Sequence, residues 1–223
     1  RFYALDISAP TPYVATSTST GLDDPKDIFV QGNLAYVANR GTSGSPSLSV
    51  YDISDPASSG GLQRLSTTAI NAGATSVYVS GKYAYVVSGL SNTLQVVNVA
   101  DAKSSVVIAT ESTDINPTSV FVSGRYAYVT NDVSNTLRVF DVINPAAPRL
   151  QGSVKTLASP SDVQVAGRYA YVTSTSTGDS IEVFDIGGLE TTSGSIQTLE
   201  SGNIQVRNSV AVSGELRISS GLR

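Results

Sequence analysis

The pattern Gly-x-x-Ala-Tyr-Val stands at Gly32–Val37, Gly81–Val86, Gly124–Val129 and Gly167–Val172, with a decayed fifth copy at Gly214–Ser219. Successive glycines are 49, 43, 43 and 47 residues apart. Self-similarity at roughly 40–50 residues marks a propeller or an array, because one unit cannot bury its apolar faces alone and must stack on its neighbours. The repeat constrains the fold strongly and says nothing about a ligand.

Aligned on the glycine, each unit holds four strand-like segments. The first is Ile28–Val30, repeated as Val77–Val79, Val120–Val122, Val163–Val165 and Val210–Val212. A two-residue turn follows, read as Gln31-Gly32 and its copies, with Gly in the second place to supply a positive φ. The second segment carries Ala-Tyr-Val, whose residues suit a packed pleated surface. The third is Leu48–Ile53, with copies at Leu94–Val99, Leu137–Val142 and Ile181–Ile186, and Phe2–Ile7 opens the chain as another. The fourth is less regular: Tyr13–Ser17, Leu62–Thr67, Val106–Thr110, Leu150–Lys155 and Ile196–Leu199. Pro and Gly punctuate the connections, and no helical period of any length is visible.

The spacing predicts an all-β fold, a β-propeller of four-stranded blades in one domain over residues 1–223. Complete blades are expected near 27–71, 75–114, 118–157 and 161–202. The leading third and fourth segments (1–20) and the trailing first and second (204–223) are expected to make a fifth, shared blade, the alternative being a fragment of a longer propeller or an open array. Sharing it between the termini would leave no free sheet edge.

Leu-x-Val-Tyr/Phe-Asp-Ile/Val at Leu48–Ile53, Leu137–Val142 and Ile181–Ile186, with Asp55-Pro56, Asn144-Pro145 and Gly-x-x-Ala-Tyr-Val, resembles the core of the LVIVD-repeat family. The second unit departs from it, with Val97-Asn98-Val99 in place of Tyr-Asp-Ile. The resemblance implies a bacterial or archaeal β-propeller, of a kind often exported or surface-associated. It brings no catalytic motif to carry over.

Composition removes several chemistries. The chain has no Cys, His, Met or Trp. Cys- or His-dependent zinc and haem sites are therefore excluded, as are thiol nucleophiles and a Ser-His-Asp triad. No cofactor and no metal are expected. The net charge of −4 argues against nucleic acid, and no apolar run approaches the roughly 18 residues of a helical span. Charged residues are 14% against the usual 25% or so, and the Ser/Thr richness that replaces them leans toward an extracellular or cell-surface protein.

Differences between repeats point to candidate sites. Just before the first apolar position of each first segment stand Asp27, Ser76, Ser119, Asp162 and Ser209. First strands of a propeller line its channel, so Asp27 and Asp162 form a candidate carboxylate pair among serines, for glycoside hydrolysis or cation binding. The loops after second and fourth segments share one face. Asn39, Arg40, Asp132 and Asp179 are its candidate binding residues, and the longer loop Ala38–Ser47 is the best single candidate for recognition. Lys82, Arg125 and Arg168 recur on the opposite face, giving an expected basic arc across from an acidic, amide-rich one. Asp52, Asp141, Asp185 and Asp6 recur at one place in the third segments of all units but the second and read as turn-forming acceptors rather than a cation ring. Tyr36, Tyr85, Tyr128 and Tyr171 read as packing between blades.

Function is expected to be that of a non-catalytic binding or scaffold module of an exported or cell-surface protein, with a protein or glycan partner at a loop face. The alternative is a carbohydrate-active hydrolase using Asp27 and Asp162. A structural unit of a filament or surface layer is a third reading.

Overall fold

The computed structural model describes residues 2–6, 13–17, 22–42, 44–55, 62–175 and 179–186, the first two segments as backbone only. Two compact units divide the chain, 1–187 and 188–223, and every described residue lies in the first. The trailing part of the expected shared blade, and the fourth segment Ile196–Leu199, lie outside the described residues.

All described regular structure is β. β1 (Phe2–Asp6) pairs antiparallel with β2 (Tyr13–Ser17) as a hairpin. Blade one comprises β3 (Pro25–Gln31), β4 (Leu34–Asn39), β5 (Ser47–Asp52) and β6 (Gln63–Ala69). Blade two comprises β7 (Ala74–Ser80), β8 (Tyr83–Ser88), β9 (Thr93–Asn98) and β10 (Val106–Ser112). Blade three comprises β11 (Pro117–Ser123), β12 (Tyr126–Asn131), β13 (Thr136–Asp141) and β14 (Arg149–Lys155). Blade four shows β15 (Pro160–Ala166), β16 (Tyr169–Ser174) and β17 (Ser180–Asp185). Each sheet runs in sequence order with antiparallel neighbours, and β3, β7, β11 and β15 lie side by side. This is the β-propeller the period predicts.

The hairpin turn differs from its sequence reading by one residue. Gln31 pairs with Leu34, so the turn is Gly32-Asn33 and the glycine stands first. Gly32, Gly81, Gly124 and Gly167 have φ of 57–60°, while Lys82, Arg125 and Arg168 after them are not in the positive-φ region. That is the sign pattern of a II′ turn, which matches strand twist.

The core lies between blades. Along β4, Tyr36 and Ala38 face blade two while Ala35 and Val37 take the other side, as strand alternation requires. Tyr36, Leu48 and Val50 pack on Val77, Val79, Ala84 and Val86. Tyr85, Val87 and Leu94 pack on Val120, Val122, Ala127 and Val129. Tyr128 and Leu137 pack on Val163, Ala170 and Val172. Both faces of an inner blade are thus buried, which is why its second and third strands read as nearly unbroken apolar runs. Burial raises the pKa of Tyr36, Tyr85 and Tyr128, so these phenols stay neutral. Packing by the recurrent tyrosines is therefore seen at three seams, whereas Tyr171 is 38% exposed.

Polar clamps cross the same seams. A bulge in each first strand leaves Lys26, Thr75, Thr118 or Ser161 without a ladder partner. Bulges re-aim side chains. Thr75 Oγ1 donates to the Pro117 carbonyl at 2.8 Å, and Thr118 Oγ1 to the Pro160 carbonyl at 2.9 Å. Asn92 and Asn135, both at positive φ, accept at Oδ1 from the Asn116 and Ser159 amides of the following blade, each at 2.8 Å.

Candidate functional site

The first strands line a concave cavity of about 430 Å³, edged by Asp27, Ser76, Ser119 and Asp162 with Phe29, Tyr78, Phe121 and Gln164. Residues i and i+2 of a strand share a face, so each strand contributes one member of a polar tier and one of a second tier. Phe29, Tyr78 and Phe121 form that second tier as a continuous run, with ring centroids 4.6 and 4.7 Å apart and planes tilted by 52°. Gln164 stands where blade four breaks the run. The polar tier was legible in the sequence. The aromatic tier was not singled out, although its signal, an aromatic two residues after each polar position in three units, was present.

The two carboxylates do share this cavity, but they are used differently. Asp27 Oδ1 accepts from the Ile28 amide, and Oδ2 from Ser76 Oγ and the Val77 amide, all at 2.8 Å. It is a clamp from blade one to blade two. Asp162 Oδ1 accepts from Ser119 Oγ at 2.6 Å and from the Val163 amide at 2.8 Å. Among the described residues, Asp162 Oδ2, the Gln164 side-chain amide and the Tyr78 hydroxyl have no hydrogen-bond partner. Neither aspartate belongs to an ion pair, and no Lys or Arg edges the cavity among the described residues. No cluster of three or more metal-ligating side chains occurs among the described residues.

The loop-face candidates scatter. Asn39 is fully buried, a correction to its reading as a surface residue. Its amide donates to the Val37 and Ser47 carbonyls and to the hydroxyls of Ser47 and Ser49, so it seals a strand end. Asn131 donates likewise in blade three to the Val129 and Thr136 carbonyls. Arg40 and Asp132 are half-buried, and each donates its backbone N–H to the carbonyl of a positive-φ residue, Asp24 or Asn116. Asp132 also accepts from the Asn116 amide at 3.0 Å. Asp179 is exposed and aligns with Asn92 and Asn135. The extended loop is pinned rather than loose: Asp23 accepts from Thr42 Oγ1 and from the Gly44 amide. What sequence reasoning missed on this face is apolar: Leu90, Ile115, Val133 and Leu157 are 55–67% exposed in loops of blades two and three.

The expected basic arc is also corrected. Arg125 pairs with Asp141 and Arg168 with Asp185, at the same end of each blade. The register puts the aspartates there, with Tyr126 opposite Asp141 and Tyr169 opposite Asp185. The guanidiniums also lie 5.3 and 5.6 Å from the Tyr126 and Tyr169 rings. In blade two the register puts Asn98, not an aspartate, opposite Tyr83, and Lys82 makes no ion pair among the described residues. Asp52 and Asp141 accept backbone N–H bonds from Ser54 and Ile143, as turn-forming residues do, and Asn98 does so from Ala100. The side chain of Asp6 lies outside the described residues.

Several solved structures share the architecture. A functionally unknown protein from Desulfotomaculum acetoxidans DSM 771 is 18% identical, with a TM-score of 0.70, over 82% of this chain and 58% of that one. A periplasmic gluconolactonase from Pseudomonas aeruginosa is 18% identical, with a TM-score of 0.63, over 85% of this chain and 64% of that one. A putative 6-phosphogluconolactonase from Bacteroides uniformis ATCC 8492 is 14% identical, with a TM-score of 0.51, over 82% and 73%. At these identities the likeness is one of fold. The chain thus spans less than two thirds of the length of the first two. Comparison with curated proteins gives no match. The model of the LVIVD repeat matches residues 24–62, 72–111, 116–156 and 159–178, well over half of the sequence, and the chain belongs to the LVIVD-repeat family.

Proposed function

We propose that this protein is a non-catalytic binding propeller of an exported or cell-surface protein. One observation carries the reading: the two candidate carboxylates are not an equivalent pair. Asp27 has three donors on it and serves as a clamp between blades. A glycosidase needs two carboxyl groups free to meet the substrate from either side, one as acid and one as base or nucleophile. Of the two, only Asp162 has an oxygen with no donor on it among the described residues. The exposed aliphatics Leu90, Ile115, Val133 and Leu157 support a protein partner on the loop face, since apolar residues at turn tips add nothing to the blade core.

The second reading, a carbohydrate-active hydrolase, is favoured by the open Asp162 and by the gluconolactonase names of two structural neighbours. One assay separates the two. The full chain is incubated with a polysaccharide panel and with sugar lactones, following reducing-sugar release and ring opening, beside a protein and glycan array. Array hits without turnover are expected. Turnover that disappears in Asp162→Asn replaces the binding reading with the hydrolytic one.

A further inference from the structure

From the unused valences of the inner cavity we infer that it takes an organic ammonium group carried on a small apolar or aromatic body. This rests on the reading of the chain as a binding module and names the ligand class of its cavity.

The argument is one of complementarity. Among the described residues, the polar tier holds two carboxylates with no Lys or Arg against them. The two described serines of that tier are already spent on them, Ser76 on Asp27 and Ser119 on Asp162. What remains open among the described residues is Asp162 Oδ2, an acceptor, with the Gln164 side-chain amide and the Tyr78 hydroxyl, each able to donate or accept. The Gln164 carbonyl adds a second acceptor two residues along the same strand face, and a ligand bringing N–H donors and positive charge satisfies both.

The second tier fits the rest of such a ligand. Phe29, Tyr78 and Phe121 make an apolar run whose π-systems attract a cation held within about 6 Å of a ring centroid. An inorganic divalent ion fits less well, because calcium wants six to eight oxygens and one carboxylate oxygen is open. A neutral sugar would leave the charge of the tier uncompensated. The cavity, at about 430 Å³, lies within the usual size of small-ligand sites.

The test is calorimetric titration of the full chain with phenethylamine and with its neutral isostere 2-phenylethanol, using glucose and calcium as further probes. Phenethylamine is expected to bind at least about tenfold more tightly than the alcohol, a preference that shrinks with added salt. Asp162→Asn is expected to abolish that preference, and Tyr78→Leu to weaken both ligands. Tyr78 lies in the apolar tier, so a thermal melt of each variant separates lost binding from lost folding. Equal affinity for amine and alcohol overturns the inference, as does no amine binding at about 10 mM. If glucose binds instead and Asp162→Asn removes it, the ammonium assignment fails while the binding module stands. Turnover of the polysaccharides or sugar lactones, lost in Asp162→Asn, overturns both.

Discussion

Blades two and three are built alike, and blade one is not. In the regular pair, the seam carries the same devices twice: a buried tyrosine (Tyr85, Tyr128), a bulge threonine and an asparagine latch. Blade one keeps Tyr36 but has Lys26 where the threonine stands and Pro46 where the asparagine stands. Proline offers no side-chain acceptor, and Lys26 turns to Asp24 at 2.8 Å. The seam to blade two is held instead by Asp27, which takes a hydroxyl and an amide of its neighbour. The difference separates two kinds of information. Apolar packing repeats because each seam solves the same burial problem, whereas polar clamps are interchangeable so long as each buried donor finds an acceptor.

That contrast is open to three tests. The largest effect is expected at the tyrosines. Tyr85→Ala empties a filled seam and should cost about 3–5 kcal/mol in denaturant unfolding, as large-to-small aromatic changes in cores do. Tyr171→Ala, at a half-exposed copy, should cost clearly less. Equal losses would show that the two positions do the same work and that the seams are not the core.

Next come the carboxylates. Asp27→Asn leaves one oxygen to serve three donors and should lower stability by about 1–3 kcal/mol, the cost of stranding polar groups. Asp162→Asn retains its Oδ1 contacts and should be nearly neutral in the same urea titration. The reverse order would make Asp162 the clamp and Asp27 the open group.

The smallest effect concerns Asp141. The Arg125 guanidinium, and then the Ile143 amide, hold its carboxyl below the usual value. A lowered folded pKa stabilises the protein fully above the unfolded value near 3.9, and the gain is lost as pH falls through the folded value. Arg125→Ala should therefore lower stability at pH 7 by less than about 1 kcal/mol, the pair being solvent-exposed. It should leave stability at pH 2 unchanged. A larger loss in acid than at neutrality would contradict the sign of the shift.

Much of this was readable beforehand, for reasons visible in particular residues. Strand order follows from Gly-x-x-Ala-Tyr-Val because the turn glycine and the buried tyrosine recur at fixed offsets. Burial of Tyr36, Tyr85 and Tyr128 follows from the same repetition. Asn39 was misplaced because a strand-end asparagine and a loop asparagine look alike in one dimension, and only the Ser47 and Ser49 partners distinguish them. The arginines were read as a free arc because Asp141 and Asp185 are sixteen and seventeen residues away along the chain, yet register brings each to its partner. The unequal use of Asp27 and Asp162 had no sequence signal, since both stand in the same column of the repeat.

The amino-acid sequence determined the local pieces and their multiplicity: β-branched and aromatic runs, tight glycine turns and a unit of forty-odd residues that cannot bury its own faces. Tertiary structure decided which polar atoms are consumed and which stay open. The clamps on the two aspartates join residues 49 and 43 positions apart, and only the packing of one blade on the next determines whether Ser76 reaches Asp27 and leaves Asp162, among the described residues, with an oxygen to spare.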